Sequence, residues 1–263
     1  MKGMTPEQRD QIITDDLILL GYRGSVAHNM YIPNTDPSSI DDIDLMGVYL
    51  APVDHYIGIK SVKETREKFI DQWDTVHYEF TKFIRLLLKC NPNVMSLLWL
   101  KDNQYIKRHP WGWMLVECRD LFVSKKAYHS FTGYAHSQLK RMTHLAHEGY
   151  MGQKRKALVN KYGYDCKNAA HCIRLLKMGM EFLTEGKLNV FREDAPMLLS
   201  IKRGEWKLED VQSEATRLFR LTEESYIRSK LPSEPNYKEV NRLVKSILFD
   251  YIGAHADDIR KFT

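Results

Sequence analysis

The stretch G-S-V-A-H-N-M-Y-I-P-N-T-D-P-S-S-I-D-D-I-D-L-M-G-V-Y-L, from Gly24 to Leu50, decides the fold expected for this chain. The apolar run Leu17–Leu20 leads into Gly24-Ser25, which predicts a short buried strand that ends in a turn. Backbone N–H groups in such a turn can hold a phosphate, and Gly24 permits its close approach. After a loop rich in Pro, Asn and Asp, the apolar run Leu45–Leu50 predicts a second strand.

Two carboxylates open this second strand. Asp42 and Asp44 are two residues apart, so both side chains lie on one face of a strand. Paired carboxylates beside a phosphate-holding turn suit the divalent ions that accompany a nucleoside triphosphate. A D-x-D pair by itself also arises by chance or at a solvated strand edge. Together with Gly24-Ser25 it predicts a catalytic centre, and a third carboxylate should come from a neighbouring strand.

The third carboxylate is sought in D-Q-W-D-T-V-H-Y-E-F, residues 71–80, which alternates in the manner of a half-buried strand. Asp71, Asp74 and Glu79 compete for the position. Asp71 and its neighbour Gln72 indicate a turn before the strand. Asp74 and Glu79 are five residues apart and therefore lie on opposite faces of a regular strand. We expect Asp74 to face the metals and Glu79 to act as an acid at the N-terminus of the next helix.

Helices are predicted over most of the remaining sequence. The first begins with Thr5 as its N-cap, and Asn91-Pro92 begins another. The predicted helices are 5–16, 81–90, 92–99, 109–119, 125–147, 166–184, 208–229 and 237–252. A short extended element is expected at 186–193. The basic, glycine-containing stretch 149–163 is interpreted as a mobile loop over a substrate or as an exposed linker.

Three basic side chains recur at helical spacing in the predicted helix 166–184. Lys167, His171 and Arg174 lie at i, i+4 and i+7, so a helix places them on one side. Such a cluster can hold the charged oxygens of a triphosphate. A solvated helix face is the alternative interpretation.

Charge is distributed unevenly along the chain. The formal net charge is +5 over 263 residues, but residues 121–180 hold eleven Lys and Arg against Glu148 and Asp165. That segment is therefore +9, which leaves −4 for the rest. A basic surface with aromatic residues among the cations is typical of proteins that bind a phosphate backbone, although a solvated helix face can look the same. The residues expected to contact RNA are Lys140, Arg141, Lys154, Arg155, Lys156 and Lys161.

Composition limits the class of protein. With 43% hydrophobic residues the chain can bury a large core. No apolar run is long enough to cross a membrane, and the polar start M-K-G-M-T-P-E-Q-R-D lacks the apolar segment of a signal peptide. The four cysteines show no C-x-x-C spacing, which favours reduced thiols over a zinc site or disulfides. We expect a cytoplasmic protein without a membrane partner, and its oligomeric state stays open.

A glycine-serine pair followed by paired aspartates on the next strand resembles the nucleotidyltransferases of the DNA polymerase β superfamily. More narrowly, the chain resembles the nucleotidyltransferases associated with RNA repair, which also carry a lysine-containing helix that ends in asparagine-proline. That helix corresponds here to F-T-K-F-I-R-L-L-L-K-C-N-P, Phe80–Pro92. The stretches F-T-G-Y-A-H-S-Q-L from Phe131 and K-N-A-A-H-C-I-R-L-L from Lys167 are similar too, so the resemblance covers most of the chain. His28-Asn29 stands where the family commonly has an aromatic-glycine pair.

The resemblance implies an α+β fold with two domains. An N-terminal polymerase β-like nucleotidyltransferase domain, residues 1–122, would carry Asp42, Asp44 and Asp74 on a small mixed sheet. A basic α-helical domain, residues 123–263, would bind the acceptor, and the active site would lie in the cleft between the two domains.

The resemblance also implies a mechanism. Ser25 and adjacent N–H groups would hold the β- and γ-phosphates of a nucleoside triphosphate such as ATP. Asp42 and Asp44 would bind two Mg²⁺ or Mn²⁺ ions, while Asp74 would help bind the second ion and favour deprotonation of the attacking hydroxyl. The basic domain favours an RNA end, for instance that of a tRNA, as the acceptor. Transfer to a protein hydroxyl, as in antitoxin-type relatives, and a nucleotide- or RNA-binding module without turnover are the alternatives.

Overall fold

The computed structural model describes residues 4–36, 39, 41–143 and 153–256. The described part has the predicted α+β class: one open mixed sheet, with helices that make up most of the remaining chain. In the part of the chain that the structure describes, no helix is both long enough and apolar enough to cross a membrane.

Five strands form the sheet, in the spatial order β3-β4-β2-β1-β5. They are β1 (Leu17–Tyr22), β2 (Ile43–Tyr49), β3 (Thr65–Ile70), β4 (Trp73–Glu79) and β5 (Tyr105–Arg108). Strands β2 and β4 are parallel, while the other three neighbouring pairs are antiparallel. The sheet is therefore mixed, as the family resemblance implied.

Twelve helices lie within the described residues. They are α1 (Pro6–Ile12), α2 (Gly24–Ala27), α3 (Val53–Ile57), α4 (Phe80–Leu88), α5 (Pro92–Ser96), α6 (Pro110–Glu117), α7 (Ala127–Thr143), α8 (Gln153–Tyr162), α9 (Cys166–Glu185), α10 (Ala195–Lys202), α11 (Leu208–Arg228) and α12 (Tyr237–Ala254). Short 3-10 turns follow α5 at Leu97–Trp99, precede β5 at Asp102–Gln104, and follow α6 at Arg119–Phe122.

Alternation along the strands assigns each side chain to one face of the sheet. Leu45 and Tyr49 of β2 pack in a smaller cluster together with Ile12 of α1. Met46 and Val48 of the same strand pack in the larger cluster, which includes residues of α4, α7 and α9. Since the side-chain period of a strand is two, Asp44 lies on the same face as Met46 and Val48. Asp44 therefore lies on the face of the sheet that packs in the larger cluster.

Several local signals are confirmed. The Thr5 side chain caps α1 in a capping box with Gln8, and the Asn91 side chain accepts from two N–H groups at the start of α5. Asp71 lies in the turn between β3 and β4 with φ of +53°. The Glu79 carboxylate accepts from the backbone N–H of Lys82 at the N-terminus of α4, as expected.

The predictions differ from the structure at five places. The extended element expected at 186–193 is wrong, because this segment has no strand neighbour and is held to α9 by side chains, such as Arg192 on Glu181. The helix α10 that follows was not predicted. Strand β5 was not predicted either, because it is only four residues long and depends on pairing with β1. The first helix ends at Ile12 rather than residue 16.

The basic stretch 149–163 is the fifth difference. Residues 149–152 lie outside the described residues, but Gln153–Tyr162 form the helix α8 rather than a loop. These ten residues contain no glycine or proline and include several good helix formers, which explains the helix. The helix predicted at 125–147 runs from Ala127 to Thr143, beyond which the described residues stop.

The large core cluster contains residues from both sides of Phe122, for example Leu87 and Phe131. Helices α7, α9 and α11 pack against one another, and α9 also contacts α8 and α10. The division of the chain into domains at residue 122 stays a prediction.

Candidate active site

The glycine-serine motif lies directly against one carboxylate. Strand β1 ends at Tyr22, and α2 begins at Gly24, which has φ of +61°. A Cβ atom at Gly24 would lie 2.2 Å from Oδ2 of Asp44. The neighbouring backbone N–H of Arg23 donates to the carbonyl of Asp44 over 2.9 Å. Only glycine lets the chain pass this carboxylate in the observed conformation.

Asp44 and Asp74 are partners in the parallel ladder between β2 and β4. The Arg23 guanidinium lies between them, with Nη2 2.8 Å from Asp74 Oδ2 and 3.5 Å from Asp44 Oδ1. Burial raises the pKa of Asp44 to about 6 despite the positive charge of Arg23, and the charges of Asp74 and Asp42 act in the same direction as burial. The charges of Arg23 and Lys167 do not offset the cost of burying this carboxylate, and a further cation bound here would favour its charged form.

Asp42 lies just before β2 and is exposed. It does not line the cavity next to Asp44 that is described below, whereas Asp41 lines that cavity and has only 2% of its surface exposed. Its carboxylate accepts from Nζ of Lys202 and from the backbone N–H of Ile32, and Nζ of Lys167 lies 3.6 Å away. Strand alternation singled out Asp42 and Asp44. It missed the buried carboxylate of Asp41, the residue that directly precedes Asp42.

The donor set suits a hard divalent ion, because Asp44 and Asp74 offer carboxylate oxygens and Gly24 leaves space at Asp44 that a Cβ would fill. Asp42 is the third candidate ligand from the sequence. Within the described residues, no group of three Asp, Glu, His or Cys side chains is drawn together closely enough to hold an ion. In this arrangement Arg23 is the cation between Asp44 and Asp74.

A cavity of about 260 Å³ opens beside this carboxylate pair. Gly24, Ser25 and Asp44 line it together with residues of α9. The helix contributes all three basic side chains that the sequence singled out: Lys167, His171 and Arg174 line the same cavity. Their proximity to Gly24-Ser25 follows from tertiary contacts such as that of Arg174 with His28, which sequence spacing alone does not determine.

Unsatisfied polar atoms and positive charge mark this cavity. The Ser25 Oγ and His171 Nε2 atoms are buried and have no hydrogen-bond partner among the described residues. Burial and the charges of Arg174, Lys167, Arg141 and Arg155 hold the pKa of His171 well below its usual range, so its ring is neutral. Buried polar atoms without partners are rare in native proteins and are usually satisfied by a ligand or water.

Arg174 and Lys202 are the most buried cations of the cavity, 7% and 8% exposed. Burial lowers the pKa of Arg174 to about 9, so the guanidinium is still charged at neutral pH. Lys202 comes from α10 and donates to the carbonyl of Met30 over 3.0 Å and to Asp41. Sequence analysis did not select Lys202, Arg23 or His28, which also line the cavity, because each reaches it only through tertiary contacts.

The basic residues expected to contact RNA lie on α7 and α8. Lys140, Arg141, Lys154 and Lys161 are exposed, and Lys156 is half-buried. Arg155 instead donates from Nε and Nη2 to Asp165, at 3.0 and 2.7 Å, and from Nη2 to Asn168. These bonds hold α8 to the start of α9, where Lys167 lines the cavity.

Comparison with known proteins adds a family. The profile of the RNA repair pathway DNA polymerase beta family matches residues 36–246. No curated protein matches the sequence. Among solved structures, a nucleotidyltransferase-like protein from Exiguobacterium sibiricum 255-15 is similar at 11% identity, covering 95% of this chain and 75% of that chain, with a TM-score of 0.25.

Proposed function

Because the chain belongs to the RNA repair pathway DNA polymerase beta family, as its motifs predicted, we propose that it transfers a nucleoside monophosphate from a nucleoside triphosphate to a hydroxyl at an RNA end. The family makes it a protein of the polymerase β nucleotidyltransferase type. The donor nucleotide, the RNA acceptor and the dependence on Mg²⁺ or Mn²⁺ are the parts that the proposal adds.

One observation carries the proposal: a single cavity is lined both by Asp44 and by Arg174. A substrate that fills it must present a polyanion to the cations and a reacting group to the carboxylates. A nucleoside triphosphate with its metal ions has both features. In the proposed arrangement the phosphates lie inside the cavity and the nucleoside lies towards its mouth.

When bound at Asp42, Asp44 and Asp74, two divalent ions would polarise the α-phosphate and neutralise charge on the entering and leaving oxygens. Ser25 Oγ and the backbone N–H groups near Gly24 would bind the β- and γ-phosphates. Lys167 and Arg174 would hold the pyrophosphate as it leaves. The Asp74 carboxylate would lie near the attacking hydroxyl and favour its deprotonation.

The basic surface supports RNA as the acceptor over the two alternatives. Arg155 holds α8 to the start of α9, where Lys167 lines the cavity, so a strand that follows α7 and α8 would reach the candidate site. A protein acceptor has no need of such a surface, and a module that only binds would have no need of the Asp44–Asp74 pair, whose like charges repel each other.

The proposal is tested by incubating the protein with Mg²⁺, total cellular RNA and each of the four α-labelled nucleoside triphosphates in turn. We expect label in RNA with one or more nucleotides, lost in Asp44→Asn. Label in protein would favour the antitoxin-like alternative instead. Nucleotide binding without incorporation into either acceptor would favour a module without turnover.

A further inference from the structure

His28 lies at the end of α2, four residues after Gly24, and is 4% exposed. Its Nδ1 atom is 2.8 Å from the carbonyl oxygen of Val190, in the segment between α9 and α10. A carbonyl oxygen can only accept a hydrogen bond, so Nδ1 must carry the proton. This contact fixes the tautomer of the ring.

The other ring nitrogen then has a free lone pair. Nε2 of His28 lies 2.6 Å from Nη1 of Arg174, and a guanidinium can only donate. The ring must therefore be neutral, because a second proton on Nε2 would point at the N–H groups of Arg174. Burial and the charge of Arg174 hold the pKa of His28 well below its usual range, in agreement with this geometry.

A neutral acceptor has a particular consequence for Arg174. Its guanidinium donates to His28 and to Sδ of Met178, and it makes no ion pair with a carboxylate among the described residues. Histidine orients the group without neutralising it. An Asp or Glu in the same place would cancel the charge and compete with an anionic ligand.

His28 also connects two parts of the candidate site that are far apart in sequence. Gly24 and Ser25 are on its own helix, whereas Arg174 belongs to α9. Asn29, the next residue, donates to the carbonyl of Arg192 over 3.3 Å, and Arg192 is itself paired with Glu181 of α9. The glycine-serine helix is thus anchored to α9 at this corner.

We propose that His28 is a positioning residue, whose neutral Nδ1–H tautomer aims the Arg174 guanidinium into the cavity beside Ser25 and leaves its charge available to a triphosphate. This inference rests on the proposed nucleotide site. It assigns a role to a residue that the sequence analysis did not select, and a phenylalanine in its place could fill the space but could not accept from Arg174.

Two substitutions separate this role from simple docking. In His28→Asn the side-chain amide reaches the Nδ1 position and can donate to Val190, but nothing reaches Arg174. In His28→Gln the amide oxygen reaches the Nε2 position and can accept from Arg174, but nothing donates to Val190. His28→Phe removes both hydrogen bonds. His77→Phe is the matched control, since His77 is also a buried histidine, 5% exposed, and does not line the cavity.

The measurement is calorimetric titration with inorganic tripolyphosphate in Mg²⁺ buffer, alongside thermal unfolding of each variant. We expect about tenfold weaker binding in His28→Asn and His28→Phe, the size of a lost hydrogen bond to a charged group. His28→Gln and His77→Phe should bind within about twofold of wild type. In an Arg174→Ala background, His28→Asn should have no further effect on affinity.

The opposite ranking, with affinity kept in His28→Asn and lost in His28→Gln, would overturn the inference in favour of docking to Val190. Wild-type affinity in His28→Asn and His28→Phe, with Arg174→Ala weakened, would overturn it while leaving the nucleotide site in place. A wild-type protein that binds neither tripolyphosphate nor any nucleoside triphosphate would contradict both proposals.

Discussion

Asp44 lies opposite Asp74 in the parallel pair of strands β2 and β4, and the guanidinium of Arg23 bridges the two carboxylates. A divalent ion that binds both carboxylates must compete with this guanidinium for the same oxygens. Arg23 is one residue before Gly24, so the motif that passes closest to Asp44 also supplies the competing cation.

Arg23→Gln should therefore tighten the binding of divalent ions. An ion pair that is partly exposed contributes about 1 kcal/mol at most, so removing the competing charge should strengthen Mn²⁺ binding by roughly fivefold. Electron paramagnetic resonance of free Mn²⁺ during a titration without nucleotide measures this directly. The matched control is Arg66→Gln, because Arg66 forms a similarly exposed ion pair with Asp16. Unchanged Mn²⁺ affinity in Arg23→Gln would contradict the competition.

Asp42→Asn and Asp44→Asn should each lose nucleotidyl transfer by about 100-fold or more, since each substitution removes a charged ligand of the ions. Steady-state incorporation of labelled nucleotide measures the loss, and circular dichroism checks that the variants fold. Asp10→Asn, at an exposed position of α1, is the control. Normal turnover in Asp42→Asn alone would show that the exposed aspartate is not a ligand. Normal turnover in both variants would refute the metal site.

Lys167→Ala and Arg174→Ala should weaken the binding of a nucleoside triphosphate by about 1–3 kcal/mol each, as expected for lost charge-assisted hydrogen bonds. The free energy comes from titration calorimetry with each of the four nucleotides. Lys187→Ala serves as the control, because Lys187 is exposed and does not line the cavity. Equal affinity in the wild type and both variants would exclude this side of α9 from the nucleotide site.

RNA binding should weaken steeply as salt rises, because cations that contact phosphates release counterions. Changing Lys154, Lys156 and Lys161 to Ala should reduce the slope of log affinity against log salt by roughly 0.7 for each phosphate of a single strand that is no longer neutralised. Arg155 is left in place, because its guanidinium binds the buried Asp165 and its removal would confuse stability with affinity.

A matched control changes to Ala three exposed lysines that are distant in sequence from α8: Lys207, Lys238 and Lys245. Filter binding of total RNA at several salt concentrations gives both slopes. An equal slope in the two triple variants, or no binding even at low salt, would remove α8 from the acceptor site.

The sequence predicts those parts of the site that local periodicity determines. Asp44 and Asp74 follow from the two-residue alternation of their strands, and Lys167, His171 and Arg174 from helical spacing. What joins these two groups is tertiary packing, which places α9 across the cavity from Gly24. Spacing within one element carries no information about that packing.

The residues that sequence analysis missed show the same limit. Lys202 reaches Asp41 from 161 positions away, and His28 reaches Arg174 from 146 positions away. Asp41 was missed because strand alternation selects Asp42 and Asp44. The burial of Asp41 depends instead on its ion pair with Lys202. Arg23 was adjacent to the motif, but its position between two carboxylates depends on the parallel pairing of β2 with β4.

The final prediction separates Asp74 from Glu79, the two acids of β4. Glu79 is fully buried and accepts from the hydroxyls of Tyr56 and Thr81, at 2.8 and 2.5 Å, as well as from the backbone N–H of Lys82. Glu79→Gln replaces an acceptor oxygen with a donor amide, so it should lower the free energy of unfolding by about 1–3 kcal/mol with little effect on turnover.

Asp74→Asn should behave in the opposite way. Asp74 is half-exposed, and its ion pair with Arg23 contributes little to stability, but it is the acid placed beside Asp44. We expect transfer to be abolished while triphosphate affinity changes little, because Asp42 and Asp44 suffice for the ion that travels with the nucleotide. Urea unfolding, nucleotide titration and labelled-nucleotide transfer, measured on both variants, give the comparison. An inactive Glu79→Gln beside a near-normal Asp74→Asn would mean that the third carboxylate is Glu79, and that β4 presents its other face to the reaction.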